Sequence, residues 1–318
     1  SDVCSSDLAW LSARARHEPI LLRIEDIDAP RAIPDADRWI MDDLAWLGLV
    51  WDGEPVYQSQ RLDLYEGVFR LLRDADPSPL YPCFCSRAEI RAASAPQEGD
   101  RFIIYPGTCR RLLAHDPHEV RRRLAAGSRH SWRFAVPPAG TPQSQILFDD
   151  RVFGAQKFDL GAELGDVVMR RSDGLFSYQL VVTVDDLLMG VTDIVRGRDL
   201  LRSTALQIAV REQLLALGVG GADSPAAVPG YAHLPLLDNA AGVRLAKRTR
   251  SLDLGVLRAQ GVKPQQVVGY CAWALGLVPQ PCAMSAGEAL SAFSWQRVRA
   301  HAADVRVPDD LPARLLRL

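Results

Sequence analysis

Three of the six cysteines lie within 27 residues of one another, at Cys83, Cys85 and Cys109. A zinc ion in a structural site takes about four ligands in a tetrahedron, and thiolates are among the ligands that it prefers. Three thiolates would leave one position open. Tyr105, four residues before Cys109, is placed to fill that position with its phenolic oxygen. The spacing of these side chains therefore predicts a metal centre.

The fourth ligand and the metal itself both have alternatives. Tyrosine is not a common zinc ligand, so His115 and His118 compete with Tyr105 for the open position. Buried cysteines also serve as small apolar residues without any metal, but a Cys-x-Cys pair with a third cysteine nearby favours a metal site. A disulfide is disfavoured, because cysteines two residues apart bridge poorly and no secretory context is evident.

Three further clusters of charged and polar residues could carry chemistry. They are segments 22–28 (LRIEDID), 176–199 (beginning FSY and ending RGRD) and 244–248 (RLAKR). Glu25 could hold an ammonium group and Arg196 could bind a carboxylate through two parallel hydrogen bonds, which together would make an amino-acid pocket. Tyr178 adds a hydroxyl group, and Lys247 could offset charge on a phosphate leaving group. Each cluster taken alone is also explained by a solvated surface.

Apolar periodicity and turn signals predict the elements that must position these residues. Segment 19–28 reads as a short buried strand with carboxylates at its end, and ligands of parallel α/β sheets bind beyond the carboxyl ends of strands. Further strands are predicted at 132–136, 146–148, 166–171, 176–184 and 193–196. Helices are predicted at 9–16, around 40–47, from 62 onwards, after the capping box of Ser86 and Glu89, at 202–216 and through most of residues 253–318.

Net charge and the distribution of apolar residues limit the classes of protein to which the chain could belong. The chain has 318 residues, a net charge of −2 and a pI near 6.3, so its overall charge does not indicate nucleic-acid binding. An RNA ligand would have to meet a local basic patch such as 121–123, although a solvated helix face explains such triplets more often. No apolar run approaches the roughly 20 residues of a membrane helix, and no signal peptide is seen. The cytoplasm is therefore the expected compartment.

Taken in order, the motifs resemble the glutamyl-Q tRNA(Asp) synthetase family, stand-alone relatives of the catalytic half of glutamyl-tRNA synthetases. The resemblance runs from about residue 9 to the C-terminus. The motifs that carry it are 23–28 (RIEDID), 83–85 with Tyr105 and Cys109, 173–178 (DGLFSY), 190–200 (GVTDIVRGRDL) and 244–248 (RLAKR), which is similar to a KMSKS loop. The resemblance implies an α/β fold: a Rossmann-type class I aminoacyl-tRNA synthetase catalytic core with a zinc-bearing insertion and, here, a mainly helical C-terminal part.

A division of the chain into four parts follows from this resemblance. Residues 1–76 would form the first part of the catalytic core, and 77–129 the zinc-binding insertion. Residues 130–252 would complete the core with the glutamate and ATP sites, and 253–318 would be the helical C-terminal part.

Residue roles and partners are also implied by the resemblance. Glu25, Tyr178 and Arg196 would bind glutamate, and Lys247 would be the catalytic lysine that contacts ATP. One structural Zn²⁺ would be held by Cys83, Cys85, Tyr105 and Cys109, and Mg²⁺ would accompany ATP. ATP and glutamate would form a glutamyl-adenylate, and the glutamyl group would then pass to queuosine in the anticodon of tRNA(Asp). The enzyme is expected to be a monomer without membrane contact.

Residues 1–8 (SDVCSSDL) depart from the pattern of the family. In the family this region carries the first strand, an Arg-Phe-Ala-Pro-Ser-Pro-like glutamate contact and the HIGH motif, which stabilises ATP phosphates at a helix N-terminus. Residues 1–8 contain neither motif, so we expect them to be non-native and the adenylation step to be impaired. In the KMSKS-like loop, Arg244 and Ala246 stand in place of lysine and serine, and the arginine keeps the charge.

Two alternative functions remain open at this point. A conventional glutamyl-tRNA synthetase would continue for more than about 100 residues into an anticodon-binding domain. The end of the chain at Leu318 and the Cys-x-Cys…Tyr…Cys set therefore favour the stand-alone family. The second alternative is a zinc-stabilised binding protein without catalysis, and the missing HIGH segment is the argument for it.

Overall fold

The computed structural model describes residues 2–28, 33–93, 103–221, 228–239 and 253–318. Its α-helices are α1 (Asp2–Ala15), α2 (Ala36–Leu47), α3 (Leu62–Asp74), α4 (Arg87–Ala93), α5 (Thr108–His115), α6 (Pro117–Ala125), α7 (Leu160–Glu163), α8 (Tyr178–Leu188), α9 (Leu201–Ala216), α10 (Leu254–Ala259), α11 (Pro264–Ala274), α12 (Ala286–Ala292), α13 (Trp295–Ala300) and α14 (Leu311–Leu315). Its strands are β1 (Arg23–Ile24), β2 (Val56–Tyr57), β3 (Leu80–Cys83), β4 (Ser131–Phe134), β5 (Gln145–Asp150), β6 (Gly154–Asp159), β7 (Val167–Arg170), β8 (Asp193–Gly197), β9 (Gly230–Leu234), β10 (Leu237–Asp238) and β11 (Val305–Arg306).

The main sheet has the strand order β6-β5-β9-β8. β8 and β9 run parallel over their whole length, with Arg196 opposite His233, and β5 joins β9 in parallel at Asp150 and Tyr231. Parallel neighbours need a crossover connection, and α9 lies in the one between β8 and β9. The register brings Arg196 and His233 side by side and places Asp150 at the end of the next strand.

A second sheet with the order β3-β4-β7 is antiparallel and carries the cysteine segment. Cys83, the last residue of β3, pairs with Ser131 at the start of β4. The predicted insertion 77–129 thus contains a strand that pairs with residues beyond it. The predicted boundaries of the four parts remain predictions.

Two hydrophobic cores support these sheets. The stripe predicted on the helix from residue 62 is confirmed, because Tyr65, Val68, Phe69 and Leu72 are all buried in one cluster with residues of α8, α9 and β4. The second cluster joins α1 to the C-terminal helices, which confirms the predicted helical character of 253–318. None of the helices in the described ranges has the length and apolar character needed to cross a membrane.

The predicted start of the first helix was wrong. α1 begins at Asp2 instead of near residue 9, and Leu8 is fully buried in the second core. The first turns of this helix consist mainly of small polar residues, so the sequence contains too few apolar residues there to show helical periodicity. The strand predicted at 19–28 is limited to Arg23–Ile24, which pairs in parallel with β2.

The strand predicted at 176–184 was also wrong, because this segment enters helix α8 at Tyr178. Ser177 is the N-cap of α8, and its side chain accepts a hydrogen bond from the backbone N–H of Leu180. The helix is buried on nearly all sides, including Val181, Val182 and Val184. A helix buried all round shows no polar face, and a short apolar run of this kind cannot be told from a buried strand by periodicity. The strands predicted at 132–136, 146–148, 166–171 and 193–196 are confirmed as β4, β5, β7 and β8.

Candidate active site and metal centre

A cavity of about 650 Å³ brings together the three residues predicted to bind glutamate. Glu25 follows β1 directly, Tyr178 is the first residue of α8, and Arg196 lies in β8. All three line this cavity. Segments that are distant in sequence therefore converge at the carboxyl ends of β1 and β8, where ligands bind in parallel α/β sheets.

Arg196 is buried and almost fully engaged on its inner side. Its Nη2 donates to Thr204 Oγ1 at 2.6 Å and to Gln207 Oε1 at 2.7 Å. Its Nε donates to His233 Nε2 at 3.3 Å. Nη1 faces the cavity and lies 3.5 Å from the Tyr178 hydroxyl. Neighbouring groups therefore fix the guanidinium through Nε and Nη2, and Nη1 is the nitrogen next to the Tyr178 hydroxyl.

These bonds limit how Arg196 could form the predicted pair of hydrogen bonds with a carboxylate. A guanidinium has five N–H groups. The two on Nη2 and the one on Nε are used inside the protein, which leaves the pair on Nη1. A carboxylate in the cavity would meet one nitrogen of Arg196 together with the Tyr178 hydroxyl. Burial, the largest effect, raises the pKa of Tyr178, so this hydroxyl keeps its proton as a donor.

Behind Arg196 lie two fully buried, hydrogen-bonded side chains that the sequence did not reveal, His233 and Asp150. His233 Nδ1 is 2.7 Å from Asp150 Oδ2, and neither side chain is exposed. Asp150 Oδ1 accepts hydrogen bonds from the backbone N–H groups of Val152 and Phe153, both at 2.9 Å. Burial, the largest effect, lowers the pKa of His233, and the guanidinium of Arg196 lowers it further. The hydrogen bond with Asp150 opposes this shift, and the net lowering of the pKa favours the neutral imidazole.

The acidic side of the cavity contains more charge than was predicted. The Glu25 carboxylate, 43% exposed, lies 3.4 Å from Nη2 of Arg23, and Nη1 of Arg23 donates to Asp186 Oδ1 at 2.7 Å. Arg23 and Asp186 both line the cavity and had no assigned role. Burial raises the pKa of Asp186, and the Arg23 guanidinium opposes that shift. Arg23 belongs to the RIEDID motif and Asp186 follows Asp185 in segment 176–199, and only the fold brings these two segments together.

A larger cleft of about 1050 Å³ adjoins the first cavity at Glu25 and Tyr178. Its other walls include Cys85 and Phe84 from the cysteine segment, together with Arg129 and Arg171. The cleft therefore leads from the first cavity to the predicted metal centre. It is wide enough for a ligand much larger than an amino acid.

The structure gathers the four predicted metal ligands into one cluster. The Sγ atoms of Cys83, Cys85 and Cys109 all lie within 4.8 Å of one another. Cys85 Sγ and Cys109 Sγ are 3.5 Å apart, and the Tyr105 hydroxyl is 3.4 Å from Cys83 Sγ and 3.6 Å from Cys85 Sγ. A tetrahedral site with Zn–S bonds of about 2.3 Å would place its sulfurs about 3.8 Å apart and a ligand oxygen about 3.5 Å from each. The donor set therefore fits zinc.

The electrostatics of the cluster are mixed: the pKa of Cys83 is lowered, whereas burial raises the pKa of Tyr105 and the hydrogen bond with Cys83 raises that of Cys109. The backbone N–H of Cys109 donates to the Tyr105 hydroxyl oxygen at 2.8 Å, so a phenolate would be stabilised at this position. The guanidinium of Arg133 stacks on the Tyr105 ring, with 3.8 Å between its Cζ and the ring centroid. The hydrogen bond with Cys109, followed by those with Tyr105 and Arg133, lowers the pKa of Cys83 against the effect of burial.

Neither histidine that competed with Tyr105 joins the metal cluster. Among the described residues, the group of side chains placed to share a metal consists of the three cysteines and no histidine. His115 and His118 are exposed, and His118 Nδ1 is 2.9 Å from Nη2 of Arg121. The structure therefore favours Tyr105 as the source of the fourth donor atom.

Lys247 and the KMSKS-like loop 244–248 lie outside the described residues. In the basic triplet on α6, Arg122 and Arg123 each donate a hydrogen bond of 2.7 Å to Glu119 within the same helix. This pairing fits a solvated helix face.

The comparisons with known proteins agree with this geometry. Residues 6–292 match the family described as tRNA synthetases class I (E and Q), catalytic domain. A glutamyl-Q tRNA(Asp) synthetase from Symbiobacterium thermophilum is 43% identical, and the match covers 97% of this chain and 91% of that protein. A second, from Nitratidesulfovibrio vulgaris, is also 43% identical over 86% of this chain and 81% of its own length.

Solved structures with this fold include a glutamate tRNA ligase from Elizabethkingia meningosepticum in complex with its amino acid. It has a TM-score of 0.76 and 25% identity, and the match covers 98% of this chain but 65% of that ligase. The chain thus spans somewhat less than two thirds of the length of that ligase. The predicted α/β fold of the class I catalytic core is confirmed by the same comparison. The chain belongs to the glutamyl-Q tRNA(Asp) synthetase family within the class I tRNA synthetases.

Proposed function

We propose that this protein activates glutamate with ATP and transfers the glutamyl group to queuosine in the anticodon of tRNA(Asp). The observation that carries the proposal is the convergence of Glu25, Tyr178 and Arg196 on one cavity beside a larger cleft. The names of the relatives support the choice of tRNA(Asp) and queuosine. The cytoplasm and a monomeric state remain predictions.

Glutamate would bind with its ammonium group near Glu25 and its side-chain carboxylate at Arg196. This orientation leaves the α-carboxylate free to attack the α-phosphorus of ATP, which requires an in-line approach of two anions. The attack forms the glutamyl-adenylate and releases pyrophosphate. Lys247, together with the Mg²⁺ that accompanies ATP in class I synthetases, would offset the charge on the phosphates. Enclosure of Arg196 in the protein strengthens its attraction for the carboxylate.

The second step would take place in the larger cleft. A hydroxyl group of the queuosine cyclopentenediol attacks the carbonyl carbon of the adenylate, an ester bond forms, and AMP leaves with the electron pair. The cleft adjoins the amino-acid cavity at Glu25 and Tyr178, so the nucleoside can approach the activated carboxyl group. Placing both reactants in adjoining spaces supplies much of the rate enhancement in reactions of this kind.

The proposed acceptor is tested by transfer of radiolabelled glutamate to purified tRNAs. We expect label on tRNA(Asp) that contains queuosine and none on tRNA(Asp) with unmodified guanosine at the same anticodon position. Label on tRNA(Glu) instead would assign the chain to conventional glutamyl-tRNA synthesis. Glutamate-dependent pyrophosphate exchange without transfer to any of these tRNAs would refute the acceptor but not the activation step.

Changing Glu25 to glutamine should weaken binding of the amino-acid substrate. The substitution preserves the size of the side chain and one acceptor oxygen but removes the charge proposed to face the ammonium group. Because Glu25 is 43% exposed, solvent screens this attraction, and we expect KM for glutamate in pyrophosphate exchange to rise only about five- to tenfold. Glu66→Gln on α3 is the matched control, since Glu66 lines neither cavity and pairs with Arg70. Equal KM values for the two variants would contradict the role of Glu25.

We propose further that Cys83, Cys85, Cys109 and Tyr105 hold one structural Zn²⁺. Tyr105→Phe then tests the fourth ligand, because it removes only the hydroxyl oxygen. We expect the zinc affinity, measured by competition with a chromophoric chelator, to fall by at least about tenfold. His118→Ala is the control variant and should leave the affinity unchanged. A fall with His118→Ala and none with Tyr105→Phe would restore the histidine alternative.

A further inference from the structure

The guanidinium on which glutamate binding depends is held from behind by two fully buried side chains. We propose that Asp150 and His233 are positioning residues. Asp150 fixes His233 as a hydrogen-bond acceptor, and His233 in turn holds Arg196 in its substrate-binding orientation. Neither residue reaches the cavity, so both act through Arg196. This inference rests on the proposed function, because it assigns the pair a part in binding the glutamate carboxylate.

Asp150 decides which nitrogen of His233 carries the proton. Asp150 Oδ1 already accepts from two backbone N–H groups, those of Val152 and Phe153, so Oδ2 is the oxygen that faces the imidazole. A carboxylate can only accept hydrogen bonds. His233 Nδ1 must therefore be protonated and donate to Asp150, and in a neutral ring Nε2 is left with a lone pair.

The lone pair on Nε2 of His233 is directed at Arg196. Nε2 of His233 accepts from Arg196 Nε at 3.3 Å, while the hydroxyl of Thr204, 2.9 Å from the same nitrogen, can donate its one proton to the carbonyl oxygen of Leu200 at 3.3 Å. Thr204 Oγ1 can then accept from Arg196 Nη2, and Gln207 takes the remaining N–H of that nitrogen. With Nε and Nη2 fixed in this way, rotation about the end of the arginine side chain is blocked. Nη1 is consequently held toward the cavity.

The main sheet builds this arrangement from neighbouring strands. Arg196 on β8 is in register with His233 on β9, and Asp150 ends β5 on the other side of β9. The environment also keeps the imidazole neutral, since burial and the nearby guanidinium lower its pKa despite the opposing effect of Asp150. A protonated ring would present a second donor and a positive charge to Arg196. The neutral form is the one compatible with the observed contacts.

Asp150→Asn tests the inference with almost no change in shape. The amide oxygen must stay at the two backbone N–H groups, so the NH₂ group faces His233 Nδ1 and forces the proton onto Nε2. A donor then points at the Nε–H of Arg196. We expect KM for glutamate to rise about 10- to 100-fold, with kcat within about threefold of the unaltered value and KM for ATP unchanged. The contact with Arg196 is equally strong in the ground state and the transition state, so its loss weakens binding without slowing the chemical step.

His233→Gln and His233→Leu form a matched pair of variants. Glutamine can place its amide oxygen where Nε2 lies and so still accepts from Arg196, whereas leucine cannot. KM for glutamate should therefore be near the unaltered value in His233→Gln and strongly raised in His233→Leu. Because leucine leaves the Asp150 carboxylate without its partner, Asp150→Asn remains the decisive variant if His233→Leu fails to fold.

The tautomer can be read without any activity measurement. Long-range ¹H–¹⁵N spectra should show a neutral Nδ1–H ring in the unaltered protein and an Nε2–H ring in Asp150→Asn, with the signal assigned by its loss in His233→Gln. Unchanged KM for glutamate in Asp150→Asn, or a parallel rise in KM for glutamate and ATP with a lower melting temperature, would overturn the positioning role. If the unaltered protein shows no glutamate-dependent exchange, the proposed function fails and the role in glutamate binding falls with it. The spectra would separately report whether the tautomer is the inferred one.

Discussion

Arg196→Ala should reduce kcat/KM for glutamate in ATP–pyrophosphate exchange by about 10²- to 10⁴-fold. Removing one partner of a buried charge pair costs about 3–5 kcal/mol, and this range corresponds to the expected loss. The substrate carboxylate would enter an enclosed site without its cation. The effect should lie mainly in KM for glutamate, because the side-chain carboxylate is bound alike in the ground state and the transition state.

Two further variants separate the loss of this contact from damage to the fold. Arg196→Lys keeps a charge but cannot reproduce the bonds to Thr204, Gln207 and His233, so most of the loss should persist. Arg198→Ala removes an arginine two residues away that pairs with Asp304 on the surface, and it should leave exchange unchanged. Full exchange activity in a folded Arg196→Ala variant would contradict the assignment of this residue.

Cys83→Ser should remove most of the zinc from the protein and lower its melting temperature. Cys83 is buried at the end of β3 and belongs to the group of three thiols, so its loss removes both a ligand and charge from the centre. Because the free energy of metal binding is coupled to folding, we expect a decrease of about 5 °C or more and similar destabilisation by a chelator. Elemental analysis and thermal unfolding measure the two effects.

The matched control for the metal centre is Cys282→Ser, since Cys282 is exposed and lies outside the cluster. It should retain about one zinc per chain and the unaltered melting temperature. Unaltered protein purified without zinc, and with a melting temperature that a chelator leaves unchanged, would refute the metal centre. Zinc retained in full by Cys83→Ser would show that the ion is bound elsewhere.

The sequence predicted correctly those features that are determined by residues close to one another in the chain. The stripe on α3 follows helical periodicity, and the capping box is confirmed, since Ser86 N–H donates to Glu89 at 2.6 Å and Glu89 N–H to Ser86 at 3.2 Å. The cysteine cluster was also accessible, because its ligands are close in sequence and few other cysteines compete with them. In each case the signal lies within one short segment.

The remaining features depend on contacts between distant segments. α8 was predicted as a strand because burial on all sides removed the polar face that marks a helix. The pair of Asp150 and His233 joins residues 83 positions apart, and Arg23 meets Asp186 across 163 positions. The contact of Arg196 Nε with His233 likewise follows from the register of β8 and β9, whereas Nη2 is held by Thr204 and Gln207 of α9.

The central claim is that the cavity around Arg196 selects glutamate for activation, and ATP–pyrophosphate exchange without tRNA tests it most directly. Each amino acid is compared on the same protein, so any slowing caused by residues 1–8 affects all of them equally. We predict exchange that depends on glutamate and is at least about 10-fold weaker with glutamine, which lacks the charge, or with aspartate, which is one methylene shorter. Equal exchange with glutamine or aspartate, or none with glutamate, would contradict the account.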